Sequence, residues 1–309
     1  MFIPDSTIER WIEEDVPGLD LTSHLLEVDR AAARISFTAR NQTVLSGVAE
    51  AAAVFAKLGA EIESLSSEGS LLQPGDPILR ARGNGGMIHS GWRVALNILE
   101  YASGIATRTA QLVGQARQHG DVLVCGTRKA FPGGRRLSQQ ALLAGGGVPH
   151  RLGLGETVLI FPHHYNLIGL EQFLGRLPAI KRAAREKKIG VEVECLEQAE
   201  LMAAHGADII QLDKCSPATA QQVVSALRDR FPALVIGAAG GINADNAAAY
   251  AATGVDMLVT SWMYFGKPAD ISALIEPEDQ PLSMCSPRHD FATLIKPSSA
   301  LLLGLICLS

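Results

Sequence analysis

The chain has 309 residues, of which 47% are apolar and 19% charged, with a net charge of −5 and a pI near 5.9. That length exceeds one ordinary compact domain and suits two with large buried cores, while the acidic balance excludes a surface devoted to nucleic acid, which would need a basic face. Five cysteines, at 125, 195, 215, 285 and 307, show no CxxC and no His/Cys ligand spacing. They read as reduced thiols of a cytoplasmic protein, not as a disulfide framework or a zinc site.

The N-terminus, MFIPDSTIERWIEED, lacks the basic and apolar regions of a secretory signal and reads as a helix. Ser6 and Glu9 have capping-box spacing, Ile8, Trp11 and Ile12 share a face, and Pro17-Gly18 stops the element. Between 33 and 83, β-like segments alternate around an Ala-rich helix at 48 to 58, which suggests a small sandwich of sheet and helices. A long helix is expected near 89 to 119. From about 121, six Val/Ile/Leu runs end in polar or glycine-rich turns: DVLVCGTR, ETVLIFPHH, IGVEVECLE, ADIIQLDKC, ALVIGAAGG and VDMLVTSWM. Helical segments separate them, so they read as parallel strands with crossover helices, an α/β barrel short of eight strands. The basic run KRAAREKK at 181 to 188 carries no aromatic residue and reads as a solvated outer helix, not a nucleic-acid surface. Residues 279 to 309 show no clear periodicity and are expected to be a poorly ordered tail. Their apolar end, SALLLGLICLS, is about half of the roughly 20 residues a membrane span needs, so no membrane association is expected.

The residues with chemistry fall at the ends of the expected strands, where parallel barrels keep their sites. Between 125 and 151 the chain reads CGTRKAFPGGRRLSQQALLAGGGVPHR. Arg128 and Lys129 alone would be a solvated turn. With PGGRR, His150 and Arg151 they make an anion pocket, because glycines let the main chain approach a ligand and guanidinium groups grip carboxylate or phosphate in pairs. Glu192 in VEVE and Asp213 in LD interrupt buried strands, and a buried carboxylate needs a partner: magnesium, or a basic residue at a neighbouring strand end. Glu194 is expected to point away on its strand. Gly240 and Gly241 precede a helix that Asn243 or Asp245 would cap, an arrangement that suits either tight packing or a phosphate. Arg93, in WRVALN, reads by itself as a surface arginine on an amphipathic helix.

The motifs TRKxxPG and GGGxxHRxGL, the VEVE strand and the LD strand end together resemble the quinolinate (nicotinate-nucleotide) phosphoribosyltransferase family. The segment GVDMLVTSWMYFGKPAD resembles its ModD branch, pyrophosphorylases of molybdenum loci. The resemblance spans roughly residues 5 to 277. It implies an N-terminal α/β sandwich over 1 to 107 with a return segment at 268 to 278, and an incomplete, open parallel α/β barrel of about six strands over 108 to 267. By the same resemblance Arg128, Lys129, His150 and Arg151 bind a pyridine dicarboxylate and the phosphates of phosphoribosyl pyrophosphate, and Arg93 reaches into a partner subunit's pocket, so the working unit is at least a homodimer. Glu192 and Asp213 fall on the magnesium and ribose-pyrophosphate side, Gly240 and Gly241 at the ribose 5-phosphate, and Ser261 stands where the family often has glycine.

Three positions depart from that pattern. Gly126 stands where an aspartate precedes TRK, Phe161 where a lysine follows the HRxGL strand, and Gly237 and Ala238 where the phosphate turn carries glutamate and serine. Exchanging lysine for phenylalanine removes a cation and adds an aromatic wall, so an acidic aromatic acceptor other than quinolinate is expected. His163 and His164 follow, as ligand contacts or as loop structure. The expected chemistry is attack of a ring nitrogen on ribose C1 with loss of pyrophosphate, driven by positioning and charge stabilisation. The alternative is an oxyanion-binding protein for molybdate uptake or processing. Carboxylates at 192 and 213 speak against that, since they repel a dianion unless a metal intervenes.

Overall fold

The computed structural model describes residues 2–278. Helix α1 (Asp5–Asp15) buries Ile8 and packs Trp11 and Ile12 against the core. Its N-cap is Pro4, however, and no capping box forms; Glu9 and Asp5 instead hold Lys57 at 2.8 and 2.7 Å. A flexible glutamate finds the stronger charged partner once the helix that ends at Lys57 packs alongside. The short α2 (Leu21–Leu25) follows, capped by the Asp20 side chain.

Strands β1 (Ala32–Ala39) and β2 (Thr43–Val44) lead into α3 (Val48–Lys57), β3 (Glu61–Leu65), β4 (Leu71–Leu72) and β5 (Pro77–Asn84). Along β1 every second side chain is inward, burying Ala33, Ile35, Phe37 and Ala39, which is the period of a sheet with one face on a core. Phe55 of α3 tilts against Phe37 across that core, with ring centroids 6.0 Å apart.

Helix α4 (Gly85–Ala116) starts four residues before the expected 89, where the Asn84 side chain accepts the Met87 amide. Its 32 residues span about 48 Å. Ile88, Ala95, Leu96 and Leu99 enter the sandwich core, whereas Ile98, Ala102, Ile105 and Leu112 enter the larger barrel core. One helix thus belongs to both halves.

The remaining elements alternate: β6 (Leu123–Gly126), α5 (Arg135–Ala144), β7 (Val148–Pro149), β8 (Val158–Ile160), α6 (Pro162–Tyr165), α7 (Leu170–Ala183), β9 (Ile189–Val193), α8 (Leu196–Ala204), β10 (Ile209–Asp213), α9 (Pro217–Leu227), β11 (Val235–Ala239), α10 (Ala247–Ala251) and β12 (Met257–Thr260). They form a seven-stranded sheet in the order β7-β6-β12-β11-β10-β9-β8, whose recorded pairings are all parallel. The sheet is an open half-barrel. Six strands correspond to the six apolar runs; the seventh, β7, is two residues inside GGGVPHR, too short to carry a periodic signal. The chain then returns as β13 (Ile271–Pro277), antiparallel to β1, and closes the sheet β13-β1-β5-β3.

The basic run at 181 to 188 is not one helix. Helix α7 ends at Ala183, and Lys181 turns inward to Asp208 at 2.9 Å and to the Gly206 carbonyl at 2.7 Å. The helix after the double glycine also differs from expectation. It is the five-residue α10, and neither Asn243 nor Asp245 caps it. Asn243 closes a turn, accepting the Asp245 amide on its side chain while its own amide donates to the Asn246 side chain. The expected tail at 279 to 309 lies outside the described residues.

Candidate functional site

Strand register decides which side chains share the barrel interior. Glu192 pairs with Gln211, Gln211 with Gly237 and Gly237 with Met257, so these four form one row across β9, β10, β11 and β12. Two residues onward, on the same face, Asp213 aligns with Ala239, Val259, Cys125 and Val148. The apolar members of these rows make a small inner core of Cys125, Ala239, Met257 and Val259. Met257 fills the space that any side chain at Gly237 would need, coming within 2.7 Å of its Cβ position. The polar members, Glu192, Gln211 and Asp213, line a cavity of about 820 Å³ at the strand ends.

The loops after the strands complete the cavity: Thr127, Arg128 and Lys129 after β6, His150 and Arg151 after β7, Phe161 and His163 after β8, Lys214 after β10, Gly240, Gly241 and Asn243 after β11, and Ser261 and Trp262 after β12. All the expected site residues converge there except Arg93. Arg93 is exposed on α4, with its guanidinium 4.0 Å from the centroid of the Trp92 ring, outside the cavity.

One side of the cavity carries surplus positive charge. Arg151 is 6% exposed, yet among the described residues no ion pair engages Arg128, Lys129 or Arg151. Burial, then the nearby charge of Arg128, pushes the Arg151 guanidinium below its ordinary pKa. Burial and Arg151 likewise push His150 down. Such a group of unneutralised cations is arranged for an anion that the chain does not itself supply.

Negative charge gathers on the other side. Burial, then the Asp213 charge, raises the Glu192 carboxyl, while Gln211 Nε2 donates to Glu192 Oε2 at 2.9 Å. Gln211 is buried, and its Oε1 has no partner in the structure. Lys214 Nζ stands 3.4 Å from Asp213 Oδ2. Glu194 is exposed and outside the cavity, but alternation is not the cause, since residues two apart share a face. Strand β9 ends at Val193, and the Glu194 amide turns to the Gln198 side chain at 2.9 Å.

Between the two sides lies the turn after β11. Gly240 and Gly241 have φ of +84° and +75°, and the described hydrogen bonds leave the amides of Gly241 and Ile242 unengaged. Thr260 Oγ1 secures the turn by donating to the Ile242 carbonyl at 2.6 Å. The turn thus presents unengaged amides to the cavity, a geometry suited to an anion.

Phe161 lines the wall beside Glu192, and its ring stacks on His164 with centroids 5.6 Å apart. His164 Nδ1 accepts the Phe161 amide at 2.9 Å, so His164 serves the loop and His163 faces the cavity. Gln211, Lys214, Thr260 and Trp262 escaped the sequence reading. Gln211 had a signal, a polar residue two before Asp213 on a buried strand; Lys214 had none, because lysine has no preference for the positive φ it adopts. Among the described residues no group of three or more His, Cys, Asp or Glu side chains could hold a metal, and no helix is long and apolar enough to cross a membrane.

Comparison with known proteins finds relatives over most of the chain. Residues 20–103 match the family model "Quinolinate phosphoribosyl transferase, N-terminal domain", and residues 105–273 match its C-terminal domain. A ModD protein of Escherichia coli is 33% identical over 279 residues, covering 90% of this chain and 98% of its own. The nicotinate-nucleotide pyrophosphorylase (carboxylating) of Mycobacterium leprae is 36% identical over 258 residues, covering 82% and 89%. Among solved structures, the nicotinate-nucleotide pyrophosphorylase of Francisella tularensis superposes with a TM-score of 0.79 at 27% identity, covering 89% of this chain and 98% of its own. NadC of Streptococcus pyogenes does so with a TM-score of 0.81 at 26% identity, covering 90% and 100%.

Proposed function

The chain belongs to the quinolinate phosphoribosyltransferase family, a family of pentosyltransferase enzymes, and from that premise we propose that it moves phosphoribose from phosphoribosyl pyrophosphate to the ring nitrogen of an acidic aromatic acceptor. The observation that carries this reading is one cavity with unneutralised cations on one side, two carboxylates on the other and a positive-φ glycine turn between them. The ring nitrogen forms a bond to ribose C1 as the C1–O bond breaks, and its electron pair leaves with pyrophosphate. Lys129 stabilises that leaving charge. Arg128, His150 and Arg151 orient the acceptor carboxylate by charge-assisted hydrogen bonds, the amides at Gly240 and Gly241 hold the 5-phosphate, and Ser261 adds a hydroxyl. Glu192 and Asp213 favour the positive charge that develops on the ribose.

The same two carboxylates fit magnesium. Glu192 carries a raised carboxyl because burial and Asp213 leave it short of positive charge, and two hard oxygen donors beside substrate phosphates are what that ion takes. When bound, the ion would screen the pyrophosphate charge. In a homodimer, Arg93 on the outer face of α4 would serve the partner's cavity. Phe161 in place of a cation makes the acceptor a monocarboxylate or a larger ring, since a second carboxylate there would lie between an aromatic wall and Glu192. No feature of the site favours a molybdate trap over this reading.

The test is pyrophosphate release with magnesium and phosphoribosyl pyrophosphate across quinolinate, nicotinate and related aromatic acids. One acid should support turnover, and Lys129→Ala should lower kcat by about 100-fold or more. Full turnover by that variant, or silence with every acid, would overturn the proposal.

A further inference from the structure

Lys214 is one of two non-glycine residues with positive φ among those described, at +55°, the other being Glu27. A lysine gains nothing from that conformation, and strained backbone of this kind persists where the surrounding structure holds it, often at a ligand site. Here the hold is visible. The Lys214 amide donates to the Ala239 carbonyl at 2.8 Å, and its stem lies against Gly240: a Cβ at Gly240 would stand 2.6 Å from Lys214 Cγ, 2.7 Å from its amide nitrogen and 2.8 Å from Asp213 Oδ1. The placement of Lys214 therefore requires a glycine at 240.

The result is a lysine whose side chain is 81% exposed, lines the cavity and has Asp213 as its ion-pair partner at 3.4 Å, longer than a charge-assisted hydrogen bond. The neighbouring turn offers free amides at Gly241 and Ile242 and no cationic side chain of its own.

We propose that Lys214 is a phosphate-binding residue, which leaves Asp213 to grip a sugar phosphate monoester seated on the Gly240–Gly241 turn. The inference rests on reading the cavity as a phosphoribosyl site. It adds the cation that the glycine turn lacks, and it couples the two halves of the donor: arrival of the 5-phosphate draws the ammonium away and frees the Asp213 carboxylate for the ribose hydroxyls.

Calorimetric titration of the full chain with ribose 5-phosphate and, separately, with inorganic pyrophosphate tests this without an acceptor. Lys214→Asn keeps a residue that tolerates positive φ and should weaken ribose 5-phosphate by about tenfold or more, while pyrophosphate, held by the opposite wall, stays within about twofold. Lys214→Arg should restore most of the loss. Unchanged ribose 5-phosphate affinity in Lys214→Asn, equal loss of both probes, or no binding of ribose 5-phosphate by the unaltered chain would each overturn the inference. Lysine-dependent binding of ribose 5-phosphate, together with no pyrophosphate release from any acid, would keep the inference and remove the transferase reading.

Discussion

Arg151 is a buried cation with no ion-pair partner among the described residues. It is 6% exposed and shares its side of the cavity with Arg128, without a carboxylate on either. Replacing it by an apolar side chain of similar length removes an unpaired, partly desolvated charge. Arg151→Met should therefore raise the ligand-free Tm by a few degrees, on the order of 1 kcal/mol, and abolish the further rise expected for the unaltered chain with nicotinate. Differential scanning fluorimetry with and without that compound reads both effects. His150 supplies a pH dependence. Burial and Arg151 hold its pKa below the ordinary value of 6.5, so its contribution to stability is present above that pH and is lost as pH falls through the lowered value. A bound anion reverses the preference by favouring the imidazolium. Affinity for nicotinate, whose carboxylate does not titrate in this range, should rise as pH falls from 8 to 6, with proton uptake seen by calorimetry in two buffers, and His150→Gln should flatten the profile.

At the scale of elements, β6 and the segment after β12 are fitted to one another through Gly126. A Cβ there would meet the Tyr264 hydroxyl and a Leu142 methyl. That hydroxyl is buried with no hydrogen-bond partner, and burial pushes its phenol up to about 12. Tyr264→Phe should stabilise the chain by about 1 kcal/mol, because an orphaned polar atom is removed and the ring is kept. Gly126→Ala should cost about 1–3 kcal/mol, and less in the Tyr264→Phe background, which denaturant melts of the four proteins would measure. Neither neighbour is written near position 126: Tyr264 comes 138 residues later, so the exclusion of a side chain there was not legible from the run CGTR. Strand type, by contrast, was legible, because a run such as ADIIQLD is long enough to show its apolar face and its terminating carboxylate. The two residues of β7 were not, since a pair cannot show a period.

For the molecule as a whole, the contact that ties the two cores is polar as well as apolar. Glu50 of α3 is 7% exposed and accepts a hydrogen bond from Gln140 Nε2 of α5 at 2.8 Å. Burial raises its carboxyl above the ordinary 4.5. The sign follows: stability linked to Glu50 is fully present below the unfolded pKa and is lost as pH rises through the higher folded one. Glu50→Gln should therefore match the unaltered chain near pH 4 and exceed it by about 1 kcal/mol at pH 7.5, with thermal melts at the two pH values as the check. Helix α4 joins the halves along its length, placing Ile88 and Leu99 in one core and Ile105 and Leu112 in the other. Arg93 is exposed on this helix and does not line the cavity of its own chain.

Sequence alone showed strands alternating with helices from about 121 onward, with Arg128, Lys129, Glu192, Asp213, Gly240, Gly241 and Ser261 at or just beyond strand ends, and His150 and Arg151 tied to the first of them by a glycine-rich run. Crossover connections keep parallel strands pointing one way, so residues at their carboxyl ends must share a rim, and local pattern suffices to collect them. Tertiary structure alone decided what each of those residues faces. Gln211 holds Glu192, Met257 fills the space over Gly237, Lys214 bends against Gly240, and Glu194 leaves the cavity because its strand has ended. Those outcomes depend on register between strands and on backbone strain imposed by distant neighbours, which no short stretch of sequence records.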